Sequence, residues 1–398
     1  MRENIEQCSA CGACVQKCPR KCIELKADEN GFLYPVIDRD ACIGCDLCDA
    51  VCHLEVPRRE RYGGQRAYAA VHRDKSVLRA STSGGAFTAI AEVIFSLGGV
   101  VYGCAYEKPL KAVHIRIEDR KDLERLNGSK YVQSEIGSAY SEVARDLAAD
   151  RWVLFSGTPC QIAGLYAFLN GKQYDRLITV DIICHGVPSH AYFNKFLKWY
   201  EDRNGVDVSS FDFRSKKNAG WSCAGICEGT RRKDGRPYRK KIFHFEHYYY
   251  SYFLSADIYR EGCYDCKYAN LDRVGDYTLG DLWGAEGLGL PFSVADGCSL
   301  VLVNTEKASE MLGKIDMELF EIPIEAAVAH NEQLRTPSQR SHKREELLDE
   351  FRKCSAEETQ KNYLKKNRAN IIKARLKYMV PAGMRHRLLK LRYQIKRP

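Results

Sequence analysis

The chain has 398 residues, 45% of them hydrophobic and 28% charged, room for two or three domains with cores of useful size, so collagen-like, mucin-like and globally disordered readings fall away. Its net charge of +9 is gathered at one end: residues 361–398 hold thirteen Lys and Arg and no acid, and the remainder has 48 basic against 52 acidic residues, which excludes a globally basic nucleic-acid binder. Eighteen cysteines in a chain this long point to metal rather than to the disulfide scaffold of a short secreted domain. Met1–Gln7 has no apolar run of a secretory signal. The most apolar stretch, Ala86–Tyr102, is interrupted by Glu92 and by Gly98–Gly99, and it falls short of the roughly 20 residues of a spanning helix. The expectation is a cytoplasmic protein.

The first sixty residues repeat one pattern. Cys8, Cys11, Cys14 and Cys18 are spaced C-x2-C-x2-C-x3-C with Pro19 behind them, and Cys42, Cys45, Cys48 and Cys52 repeat the spacing. This is the bacterial 4Fe–4S run. Three thiolates in a tight loop each reach a different iron of one cubane, and the fourth, on a helical turn, points away to the other cluster. Cys8, Cys11, Cys14 and Cys52 are therefore expected to hold one cluster, and Cys42, Cys45, Cys48 and Cys18 the second. Zinc favours C-x2-C knuckles from separate loops, which three cysteines in a seven-residue run do not provide. His53 stands where such runs usually carry proline, and Cys22 reads as a small buried side chain. Residues 1–60 are expected to form a two-cluster ferredoxin-like domain.

Pro57–Gln65 is polar and glycine-containing and reads as a linker. Beyond it, strand-like and helix-like segments alternate: Ala67–Val71 a strand, a helix opened by Ser81-Thr82-Ser83-Gly84-Gly85 and running to Leu97, then strands at Gly99–Gly103, Trp152–Phe155 and Leu177–Ile183. Pro159–Leu169 reads as a helix with Thr158 as its cap and Pro159 in its first turn. The alternation predicts an α/β domain over residues 66–335 with a mixed, mostly parallel sheet and ligands beyond the carboxyl ends of its strands. Three segments fall there. Ser81–Gly85 offers hydroxyls and bare glycines at a helix N-terminus, fit either for an anion such as a dinucleotide pyrophosphate or for ordinary capping. Gly128–Ser134, with Lys130, Tyr131 and Gln133, could hold a flavin or be any loop. Cys160 at a strand-to-helix turn, Cys184 at the end of the next strand and the Cys263-x-x-Cys266 pair either converge on a third cluster or are free cysteines beside a zinc knuckle. Arg214, Lys216 and Trp221 suit an anionic substrate or a basic hairpin turn. His185 is a candidate proton donor or a hydrogen-bonding spacer, and Asp276 and Asp281 read as loop and cap residues.

Residues 343–398 are expected to form a basic helical tail. Ile371, Ile372, Leu376, Met379 and Val380 recur at helical spacing, as do Met384, Leu388, Leu391 and Ile395, with Lys and Arg between and a break at Pro381. Two basic amphipathic helices would suit an anionic membrane surface on the inner face; packing on the body or on a second subunit is the alternative.

In Ser81-Thr-Ser-Gly-Gly, Gly157-Thr-Pro-Cys-Gln, Ile183-Cys-His-Gly-Val-Pro-Ser, Cys263-x-x-Cys266 and Gly275-Asp-Tyr-Thr-Leu-Gly-Asp-Leu-Trp-Gly, taken in this order over about residues 65–300, the chain resembles the coenzyme F420 hydrogenase/dehydrogenase β-subunit family, in which an N-terminal ferredoxin block is a common arrangement. The resemblance implies FAD, held partly by Ser81–Gly85 and the Lys130 region, and a third 4Fe–4S cluster on Cys160, Cys184, Cys263 and Cys266. Lys130 joins His185 as a candidate catalytic residue. The function expected is an iron–sulfur flavoprotein oxidoreductase linking a ferredoxin or another redox protein to coenzyme F420 or another small-molecule hydride acceptor or donor, with no nucleic-acid partner. Its rivals are a non-catalytic electron-transfer subunit feeding a partner enzyme and a zinc-stabilised interaction protein at a membrane surface.

Overall fold

The computed structural model describes residues 5–55, 63–107, 110–380 and 383–384. Most of the Pro57–Gln65 linker and the second tail helix, with Leu388, Leu391 and Ile395, lie outside the described residues.

The N-terminal unit has two short helices, Ala13–Lys17 and Leu47–Ala50, and one antiparallel pair, β1 (Ile23–Ala27) and β2 (Leu33–Ile37). Asp28 builds the turn between them: its Oδ1 accepts from the amides of Asn30 and Phe32 at 2.9 and 2.8 Å. Gly31 in that turn has φ 78°, and a Cβ there would collide with Ala191. The turn thus lies directly on the helix His190–Asn204, and Ser189 Oγ donates to Asn30 O at 2.8 Å.

The body is built on an eight-stranded mixed sheet. Its strands are β3 (Arg66–His72), β4 (Val100–Glu107), β5 (Lys111–Ile117), β6 (Val153–Gly157) and β7 (Leu177–Ile182), joined later by β11–β13. Between them in the chain, β8 (Val206–Asp212), β9 (Ala224–Arg231) and β10 (Pro237–Phe243) form a separate antiparallel sheet, followed by β11 (Tyr277–Asp281), β12 (Ser299–Val303) and β13 (Met317–Ile322). The order in the large sheet is β13-β3-β12-β11-β7-β6-β4-β5. The run β11-β7-β6-β4 is parallel, as the alternation of strands and helices predicts; both flanks are antiparallel. The parallel strands are covered on both faces and so read as continuous apolar runs, Val153-Leu-Phe and Leu177-Ile-Thr-Val, buried throughout. The small β8–β10 sheet is absent from the sequence-based elements, and Lys216–Ala219 is a short helix rather than a hairpin turn.

The helix Pro159–Phe168 has the predicted start. Thr158 and Gln161 form a capping box, with the Thr158 amide donating to Gln161 Oε1 at 3.0 Å and Pro159 in the first turn. The helix opened by Ser81–Gly85 runs Ala86–Ser96 with Gly85 as N-cap at φ 91°. An aromatic core fills the space between the large sheet and the C-terminal helices, with Tyr192, Phe193, Phe196, Tyr200, Tyr248 and Tyr249 fully buried. Over the described residues 343–380 the chain packs on the body. Arg344–Lys353 and Ala356–Lys366 send Leu347, Leu348 and Tyr363 into that core, and Ile371 of the helix Arg368–Met379 follows them. Tyr363 OH also donates to Phe245 O at 3.0 Å. Of the apolar stripe in the last of these helices, Ile371 alone is buried, while Ile372, Leu376 and Met379 are exposed.

Candidate metal centres and anion site

A cavity of about 60 Å³ is lined by Cys8, Cys11, Cys14 and Cys52 and also by Cys48, expected in the second quartet, with an apolar shell that includes Ile5, Ile23, Leu25, Ile37 and Val51. Burial pushes the Cys11 thiol up to about 12 and Cys14 to about 11, and neighbouring thiols add to the rise. A free thiolate is disfavoured here; a bound metal cluster supplies the missing positive charge. Cys18 of the second quartet lies 3.4 Å from Cys22, sulfur to sulfur, and Cys45 is exposed.

The larger pocket, of about 700 Å³, gathers Cys160, Cys184, Cys263 and Cys266. Cys160 sits in the first turn after β6, Cys184 in the loop after β7, Cys263 at the end of the 3-10 turn Glu261–Cys263 and Cys266 three residues on. Adjacent parallel strands β6 and β7 bring the first two together. Burial raises all three of Cys160, Cys184 and Cys263, the last to about 12, and the four thiols act on one another electrostatically. Among the described residues no three His, Cys, Asp or Glu side chains are placed to hold one metal ion. A cubane presents four separate irons, and cysteines standing around a cavity from three loops fit that group.

The N-terminal unit forms one wall of this pocket through Gln7, Ser9, His53, Leu54 and Glu55. His53 bridges the two units: its Nε2 pairs with Ser9 Oγ at 2.7 Å and its Nδ1 with Tyr268 OH at 2.6 Å. This explains a histidine at the usual proline position, since proline could make neither bond. Gly164, in the helix that begins at Pro159, is bare because Cys11 packs on it; a Cβ would come within 2.9 Å of Cys11 Sγ and 3.0 Å of Cys11 Cβ.

A third group of residues lies around Ser81–Gly85. Ser83 Oγ donates to Cys298 O and the Gly84 amide to Ser299 Oγ, each at 2.8 Å. Thr82 Oγ1 is buried with no hydrogen-bond partner. Lys216 Nζ reaches Leu78 O at 2.6 Å and also Ser83 O, and burial lowers its pKa to about 8. The glycines pack against the strands, Gly84 on Ala70 and Ser299 and Gly85 on His72, so the orphaned Thr82 hydroxyl and the half-buried Lys216 are the groups here that suit an anion such as the phosphates of a dinucleotide. Arg214 is paired with Asp281, which also accepts from Trp221 Nε1 at 2.8 Å. Trp221 stacks on Trp283 with centroids 5.0 Å apart and planes 6° from parallel. Asp281 is therefore the counter-ion of Arg214 rather than a loop or cap residue, and Asp276, fully buried, accepts from the Thr179 amide at 2.8 Å. His185 lines the large pocket with its surface solvent-accessible, yet the surrounding protein lowers its pKa by desolvation, with Asp281 raising it and Arg214 lowering it.

The Lys130 segment is differently disposed. Lys130 Nζ donates to Asn127 O at 2.8 Å, Gly128 O at 3.3 Å and Leu126 O at 3.4 Å, and burial lowers its pKa. The Tyr131 ring stacks on Phe253 at 4.1 Å. Gln133 belongs to the contact between the units: its Nε2 donates to Ser9 O at 2.8 Å, and its Oε1 accepts from Arg260. Sequence reasoning missed Arg260 and Tyr268, which carry no motif, and the pairing of Asp281, for which its Gly-Asp-Leu-Trp setting was the available signal.

Residues 150–323 match the model of the family described as the C terminus of the beta subunit of coenzyme F420 hydrogenase/dehydrogenase, and residues 7–56 match the 4Fe–4S dicluster domain. The F subunit of the F420H2 dehydrogenase of Methanosarcina mazei is 22% identical over 270 residues, 65% of this chain and 76% of that protein. The alpha 1 subunit of the acetyl-CoA decarbonylase/synthase complex of the same organism is 39% identical over 64 residues, 14% of this chain and 8% of that protein. A chain of the F420-reducing NiFe hydrogenase complex from Methanosarcina barkeri, solved as a xenon derivative, aligns at 18% identity over 77% of this chain and 93% of that one, with a TM-score of 0.41.

Proposed function

From the match of residues 150–323 to the coenzyme F420 hydrogenase/dehydrogenase beta-subunit family and of residues 7–56 to the 4Fe–4S dicluster domain, we propose that the chain is an iron–sulfur flavoprotein oxidoreductase of that family with three 4Fe–4S clusters and FAD. When bound, these groups supply one-electron steps and their conversion to a hydride exchanged with coenzyme F420 or another small molecule. The observation that carries the reading is the gathering of Cys160, Cys184, Cys263 and Cys266 in one pocket walled by the first ferredoxin quartet's own unit.

The chain's residues have separable tasks in this reading. The three cysteine quartets bind, and the Ser9–His53–Tyr268 bridge fixes the separation of the first and third sites. Ser81–Gly85 and Lys216 receive phosphate. The Trp221–Trp283 pair offers a flat wall, and Asp281 cancels the Arg214 charge beside it. His185, exposed on the rim, is the proton donor; Lys130, occupied by three carbonyls, ties its loop.

A redox protein such as a ferredoxin docks at the second quartet. There Cys45 is exposed, with Ile43 62% and Leu47 39% exposed beside it. The helix Arg368–Met379 lies on an anionic membrane surface, its Ile372, Leu376 and Met379 turned outward among Arg and Lys. Among the described residues no helix is long and apolar enough to cross a membrane. Anaerobic purification and a count of iron, acid-labile sulfide and flavin test the central reading. About 12 irons with one FAD per chain are expected; about 8 irons and no flavin would reduce the chain to a ferredoxin joined to an unassigned domain.

A further inference from the structure

Arg260 is fully buried, 1% exposed, and it lies between the first and third cysteine quartets. Its Nη1 donates to Cys8 O at 2.8 Å, its Nη2 to Leu33 O at 2.8 Å and to Gln133 Oε1 at 3.0 Å, and its Nε to Gln133 Oε1 at 3.1 Å. The guanidinium also sits over the rings of Tyr34 and Phe32, at 4.8 and 5.4 Å. Each of these polar partners is neutral. Buried arginines elsewhere in the molecule have a carboxylate: Arg273 has Asp181, Arg214 has Asp281 and Arg344 has Glu261.

A full positive charge removed from water costs several kcal/mol unless an opposite charge faces it. Carbonyls and aromatic faces offset only part of this. When filled, the neighbouring cysteine quartets would supply negative charge beside it. Cys8 contributes the carbonyl that Arg260 holds, and the charge of Arg260 acts on Cys160 and Cys263. A cubane with four thiolates is anionic, and becomes more so on reduction.

We infer that Arg260 is the shared counter-charge of the first and third clusters, a positioning residue that raises the reduction potentials of both relative to the second. The inference rests on the three-cluster reading above. A fixed cation favours the more negative, reduced state of any cluster near it. The hydrogen bonds of Arg260 include no residue of the second quartet, so that cluster is an internal reference.

The test is an EPR-monitored redox titration of the full chain, purified without oxygen and with iron counted first. Arg260→Gln removes the charge. Gln133→Glu leaves the arginine in place and sets a carboxylate against it, and Arg260→Lys keeps a charge while losing the fork. In Arg260→Gln and Gln133→Glu two of the three midpoint potentials are expected to fall, the third staying at its wild-type value, with Arg260→Lys recovering most of the shift. Should Arg260→Gln fail to assemble, Gln133→Glu decides alone. Unchanged potentials in Gln133→Glu, or equal shifts in Arg260→Lys and Arg260→Gln, overturn the inference. A wild-type count of about 8 irons would instead remove the three-cluster reading beneath it.

Discussion

At the scale of single residues, the loops that carry cysteines are fastened by buried ion pairs rather than by the cysteines alone. Arg273 and Asp181 are 1% and 0% exposed and meet at 2.7 Å. Asp181 also accepts from the amides of Val274 and Gly275 at 3.1 and 2.8 Å. The pair thus ties the strand that leads to Cys184 to the loop that follows Cys266. Replacing Arg273 by Met leaves Asp181 buried and short of its cation, at a cost of about 3–5 kcal/mol. Urea denaturation of Arg273→Met is expected to show that loss, and iron analysis a deficit at the third site while the N-terminal sites stay filled. A stability within about 1 kcal/mol of wild type would mean the pair contributes little. This pair was not legible in the sequence, because neither Arg273 nor Asp181 stands in a spacing that announces a partner 92 positions away. The ferredoxin cysteines were legible, because local spacing alone brings three ligands to one loop.

At the scale of elements, the helices and parallel strands were easiest to read. A capping box at Thr158, a Pro at the first turn and uninterrupted apolar strands are local signals, and they coincide with the structure around Cys160 and Cys184. The antiparallel flanks of the sheet and the β8–β10 sheet were not read, since β13 joins β3 from the far end of the chain and nothing local marks that pairing. The C-terminal helices show the limit of periodicity. A stripe of apolar residues at helical spacing looks the same whether it faces a core or a bilayer. In Arg368–Met379 the two faces are now separate: Ile371 is buried, whereas Ile372, Leu376 and Met379 are 51%, 60% and 77% exposed. Replacing those three by Ser should abolish flotation with anionic liposomes without lowering thermal stability, because none of them belongs to the buried core. Binding unchanged by the triple substitution would assign the stripe to another surface. Truncation after Thr359 is the poorer experiment, since it also removes Tyr363 and Ile371 from the core.

At the scale of the whole molecule, the two units depend on iron to different degrees. The body has its own aromatic core and an eight-stranded sheet. The N-terminal unit has one two-stranded sheet and two helices of five and four residues, too little apolar burial to stand without staples. Metal binding there is folding free energy. Chain produced without clusters, or stripped by chelator, is expected to lose residues 5–55 to limited proteolysis while a fragment from about residue 63 to 380 survives, read by mass spectrometry. Digestion of the body at the same rate would show that iron supports the entire fold. The same asymmetry explains what composition could reveal: eighteen cysteines pointed to metal, but only the packed units show that one cysteine-lined pocket lies between them.

That shared pocket has a consequence for biosynthesis. Cys52 leaves the ribosome long before Cys266, by roughly 10–40 s at ordinary rates of elongation. Both ferredoxin quartets are complete, and open to iron donors, while the body is still being made. The quartet of Cys160, Cys184, Cys263 and Cys266 is finished last, and the already synthesised N-terminal unit forms one wall of its pocket. Maturation therefore has a direction in time. If that quartet receives a cluster as proposed, its iron arrives only after both ferredoxin quartets have had time to fill.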